Sequence, residues 1–116
     1  MKLEKIIELN NALNLIESNS KLDFKISYRL GRIQDKCKSI IRVFELTQNK
    51  MRDNYQKMIA EDSEKSKELQ EEYVKKITEL LEVDEKIEIP KFQLTDFENK
   101  DIPLKFFTAF SEHIEE

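Results

Sequence analysis

Residues 24–44 read FKISYRLGRIQDKCKSIIRVF. Ile26, Leu30, Ile33, Cys37, Ile40 and Phe44 step by four and three, which puts them on one side of an α-helix. Thr47, Met51 and Met58 continue the stepping, Asn54 fills the gap, and Ile41 and Tyr55 broaden the stripe. Neither proline of the chain falls in this stretch. The pattern predicts one long helix with a heptad-like seam from 26 to 58. At ~1.5 Å per residue it is roughly 55 Å long. The stretch also holds the chain's single glycine, Gly31. Mid-helix glycine is about 1 kcal/mol less favourable than alanine. Ser27 lies four residues before it on the same face. Small residues at that spacing admit another backbone, so the first helix or the aromatic C-terminal helix is expected to cross at Gly31.

On the N-terminal side, Leu3, Ile6, Ile7, Leu13 and Ile16 predict an amphipathic helix over 3–18, widened by Leu9 and Leu15. SNS at 18–20 ends it, and either Ser20 with Asp23, or Asp23 alone, caps the long helix. On the other side, AEDSEKS at 60–66 predicts a turn, with Asp62 or Ser63 as the next cap. Leu69, Tyr73, Ile77 and Leu80, flanked by Val74 and Leu81, form the face of a third helix to about 82. It folds back on the second half of the long helix as an antiparallel hairpin.

From residue 83 the period changes. Ile87 and Ile89 fall on one parity and Phe92 and Leu94 on the other, with Pro90 between them. This predicts a bent strand or two extended pieces. A single strand is not stable alone, so 86–94 docks along the helices or pairs with its copy in another subunit. Pro103 then opens a short helix with Leu104, Phe107 and Phe110 on one face and Phe106 beside it. The fold class is mainly α: a long antiparallel helical hairpin with a short N-terminal helix, an extended segment and a short C-terminal helix. Residues 1–116 form one elongated domain, helical over 1–82, with the extended segment and last helix over 83–116.

Composition agrees with long helices: 116 residues, 39% hydrophobic, 38% charged, one Gly and two Pro. The net charge of −4 is unevenly placed. Residues 21–60 carry ten Lys or Arg against four Asp or Glu, whereas 61–116 carry eight against seventeen. The basic middle complements the acidic end or a partner. A single cysteine allows no internal disulfide and points to a reducing, cytoplasmic setting. The N-terminal stretch is broken by Glu4, Glu8, Asn10 and Asn11, so neither a signal peptide nor a membrane span is expected.

Groups suited to catalysis are few. His113 reads as a surface histidine near a helix end, and Cys37 as a small apolar seam residue. No glycine-rich phosphate loop or calcium-loop spacing occurs, so no metal, cofactor or catalytic residue is expected and the chain reads as a non-enzyme. The sharper signal is basic. Lys25, Arg29, Arg32 and Lys36 step by four, three and four along one face beside the seam. They are candidates for a protein partner or for phosphates, unless acidic residues of the third helix offset them. Phe92, Phe97, Phe106, Phe107 and Phe110 either plug a small core or form a docking patch.

The stretch KLDFKISYRLGR (21–32), the charged helix pair, and IEIPKFQLTDFENKDIPLKFFTAFSEHIEE (87–116) together resemble small phage-encoded proteins of unknown function with the pattern K-L-x-x-K-x-x-Y-x-[LI]-[GA]-[KR]. Those proteins often carry Pro after the K-L pair, where this chain has Asp23. The resemblance implies a phage or prophage origin, a location in the host cell and a protein partner. It brings no activity and no cofactor. Three functions follow as expectations: an interaction or assembly module that forms a homo-oligomer, a small inhibitor of a host or defence protein, and a nucleic-acid-binding accessory using the basic face.

Overall fold

A computed structural model describes residues 1–116. Asp23 ends the first loop: its side chain accepts a hydrogen bond from the Lys25 backbone N–H at 3.0 Å and starts the long helix. The elements are α1 (Leu3–Ile16), α2 (Phe24–Glu61), α3 (Ser66–Leu81), β1 (Phe92–Gln93), α4 (Leu104–Phe110) and β2 (Ile114–Glu115). The fold is mainly helical, as the periodicity predicts. A 3-10 turn at Ser63–Lys65 reverses the chain between α2 and α3, which pack as the antiparallel hairpin. The molecule measures 58 × 23 × 22 Å and has a radius of gyration of 18.3 Å. A compact chain of this length has about 13 Å.

The length divides into a head and an arm. In the head, α1 packs between α2 and α4 and buries six of its 14 residues: Leu3, Ile6, Leu9, Ala12, Leu13 and Ile16. Leu9, which widens the predicted apolar face, is fully buried, whereas Leu15 is 50% exposed. The buried residues of α1 meet Leu22, Ile26, Leu30, Ile33 and Cys37 in one core with Phe92, Phe97, Phe106 and Phe110. The arm is the rest of α2 with α3. Its buried residues are Tyr55 and Leu69, whose neighbours Tyr73 and Ile77 are half-buried.

The seam of α2 holds through Phe44 and then slides. Thr47, Asn54 and Met58 are exposed, and Gln48, Tyr55 and Ile59 take the inner positions. A nearly straight helix turns every 3.6 residues, so a 3.5-residue pattern drifts about 20° per heptad.

The extended segment finds its partners within the chain. Leu3 N–H donates to the Val83 carbonyl at 2.9 Å, and Glu85 N–H to that of Met1 at 2.8 Å. Ile87 and Ile89 pack on the head core. β1 then pairs in parallel with β2, Phe92 opposite Ile114 and Gln93 opposite Glu115. Both ends of the 83–94 stretch are therefore fastened to the head.

Two packing expectations need correction. No helix crosses at Gly31: a Cβ built there meets nothing within 4 Å, and the residue is exposed. The α1 contact falls on Ile26, Leu30 and Ile33, whose side chains lie on another face. Gly31→Ala is therefore expected to stabilise the chain by about 1 kcal/mol and to raise the melting temperature by roughly 4 °C; a fall in a thermal melt would restore the crossing. In α4 the buried face is Phe106, Ala109 and Phe110, whereas Leu104 is 80% exposed and Phe107 half-buried. With seven residues the helix is too short for its own period to decide, and its contact with α1 decides instead.

Candidate interaction face of the long helix

The four cations singled out on sequence lie on α2 but do not act alike. The Arg29 guanidinium sits 4.4 Å from the centre of the Phe92 ring and donates to the Lys91 carbonyl at 3.0 Å. It fastens the extended segment to α2 and is half-buried there. Lys36 lies beside Glu88, Ile89 and Pro90 of the same segment. Lys25 and Arg32 are exposed. The stripe is thus two free cations, one at the edge of the segment and one structural.

The five phenylalanines come together as packing. Phe106 stacks on Phe110 with centroids 4.6 Å apart and an 18° interplanar angle, and Phe97 lies 5.0 Å from Phe106 and 5.7 Å from Phe92. Phe107 closes the cluster edge-on to Phe97 at 6.1 Å. A docking patch is not what these rings form, since four of them are buried. The exposed aromatics are elsewhere. Phe24 is 92% exposed and Tyr28 66% exposed, one helical turn apart beside Lys25. Phe24 follows the Asp23 cap and stands two residues before the first seam position, Ile26, so it points away from the core. That spacing is the signal by which the sequence could have revealed it.

The reactive groups are held quiet. Burial pushes the Cys37 thiol up to about 11, so it keeps its proton at neutral pH. Burial beside Phe110, 6.2 Å away, lowers the pKa of half-buried His113. In the arm, the Tyr55 hydroxyl donates to Glu72 at 2.9 Å, and this bond, then that from Lys76, holds the Glu72 carboxyl below its ordinary pKa. Tyr73 meets Tyr55 edge-on at 5.7 Å. These contacts clasp α3 to α2.

What remains uncovered is the outer side of α2. Only five of its 38 residues are buried, and none lies between Cys37 and Tyr55. Leu46 is 60% exposed on that side, and Val43, 58% exposed, stands at its edge beside the groove lined by Leu3, Leu80 and Val83. Hydrophobic periodicity reports the seam and not this face. No helix is long and apolar enough to cross a membrane. No family model matches the chain, and neither the curated proteins nor the solved structures yield a match.

Proposed function

We propose that the protein is a non-enzymatic interaction or assembly module that works by docking the outer face of α2 on protein, itself included. The observation that carries this reading is the 38-residue helix whose inner side alone is covered, with Val43 and Leu46 both more than half exposed. Burial of such residues drives association, and the charges around them select the partner. A phage or prophage origin belongs to this proposal as its biological setting, and a small inhibitor of a host or defence protein is the alternative to it. The experiment is affinity capture from host lysate at moderate salt, with and without nuclease, alongside light scattering of the purified chain at tens of micromolar. A stoichiometric protein complex that survives nuclease, with a second copy or a host protein, is the expected result. A chain that stays single and captures only nuclease-sensitive material contradicts it.

A second reading draws on Phe24 and Tyr28 beside Lys25 and Arg32, since aromatics next to cations suit single-stranded nucleic acid. It predicts that affinity falls steeply with salt, by roughly one unit of log–log slope for each phosphate contact. Arg29 is already engaged by Phe92 and the Lys91 carbonyl, which leaves this reading fewer cations than the sequence offers.

A further inference from the structure

The outer stripe of α2 carries charges of both signs in an order that complements itself when reversed. With 3.6 residues per turn, the exposed residues Arg32, Asp35, Ser39, Val43, Leu46 and Lys50 follow one line along α2, and Asp53 extends it. Ser39 and Val43 stand at the edge of this line, where a groove opens towards Leu3 of α1 and Leu80 of α3. Lay a second α2 antiparallel on this line with the two-fold axis beside Val43. Val43 then meets its own copy. Leu46 faces Ser39, a small residue whose hydroxyl already donates to the Asp35 carbonyl at 3.1 Å, so no hydroxyl is stranded under the leucine. The next layers place Asp35 opposite Lys50 and Arg32 opposite Asp53, and the symmetry repeats both pairs at the other end. The result has an apolar centre and a charged rim.

We infer that two copies of this chain associate antiparallel through the outer face of α2, centred on Val43, with Asp35 paired to the second copy's Lys50 and Arg32 to its Asp53. This rests on the interaction reading above and names one partner for it. Charge decides among occupants. Asp35 and Asp53 stand in the same line as Arg32 and Lys50. A phosphate backbone would be repelled at every second layer, whereas a reversed copy meets opposite charge at each. Within one chain Asp35 and Lys50 stand fifteen residues apart, about 22 Å along the helix. Arg32–Asp35 and Lys50–Asp53 are i,i+3 neighbours that could pair within the helix, yet neither forms an ion pair. Asp53 has only its neighbour Arg52, at 3.8 Å and exposed.

The test combines cross-linking with charge exchange. Val43→Cys should form a disulfide-linked pair under mild oxidation, whereas Lys50→Cys should not, because its counterpart is Asp35. The wild-type chain, with its one buried thiol at Cys37, is the blank. Asp35→Lys alone and Lys50→Asp alone each break two symmetry-related pairs and set like charges opposite. Each should weaken the dissociation constant by about tenfold. The double substitution should return to within about threefold of wild type, which a merely local effect on folding would not do. Both cysteine variants cross-linking equally, or a dimer that neither cross-links, overturns this interface and leaves the interaction reading standing. So does a chain that stays single at tens of micromolar yet holds a host protein. A single chain whose only ligand is nucleic acid overturns both.

Discussion

Phe106→Ala is expected to lower stability by about 3–5 kcal/mol, the ordinary range for deleting a buried aromatic ring. For a chain of this length that is a fall in melting temperature of roughly 12–20 °C. The expectation follows from the place of the ring. Phe106 is fully buried, stacks on Phe110 at 4.6 Å and meets Phe97 at 5.0 Å. Its cavity would open where α4 meets α1, at the centre of the head. Leu104→Ala, at the exposed start of the same helix, should change the melt by less than about 2 °C. A calorimetric scan of the two variants decides it. Equal effects would mean that α4 does not dock as described.

The second large effect is in backbone exchange. The amides of α3 should exchange on the order of 100-fold faster than those of α1, a difference of about 2.7 kcal/mol in opening free energy. One residue of α3's sixteen is buried, against six of α1's fourteen. Most of the stability of a helix in a protein comes from tertiary packing of its apolar face. What holds α3 is the line Leu69, Tyr73 and Ile77 and the clasp of Tyr55 with Glu72 and Lys76. Hydrogen exchange read by residue measures this directly. Equal protection of α1 and α3 would mean that the arm opens only with the whole chain, and that the separation of head from arm is wrong.

How far the sequence revealed this depends on what each pattern reports. Ile26, Leu30, Ile33 and Cys37 announced the head because all four enter the one core that α1 helps to fill, and so their period is that of the packed face. Beyond Phe44 the partner changes to α3, the helix has turned, and Tyr55 replaces Asn54 and Met58 inside. The heptad stepping carried no sign of that change. Arg29 looked like one of four equal cations because its strut to Phe92 joins residues more than sixty apart in sequence. The β1–β2 pair was invisible for the same reason: two residues pair with two others some twenty positions away. Gly31 misled by identity alone. A lone glycine in a helix reads as a contact, yet nothing approaches it. The exposed face of α2 gives no periodic signal, because its residues, Asp35, Ser39, Val43, Leu46 and Lys50, are mixed in kind and make no apolar stripe.

The most direct measurement is sedimentation equilibrium of the wild-type chain beside Leu46→Glu, over micromolar to hundreds of micromolar. Leu46 is 60% exposed, so the substitution should leave the melt within about 2 °C of wild type. The wild-type mass should rise with concentration from 13.9 kDa towards twice that value, and Leu46→Glu should stay at the mass of one chain. Wild-type and variant chains with the same mass at every concentration, whether one chain or two, would contradict the claim that the protein associates through the outer face of its long helix.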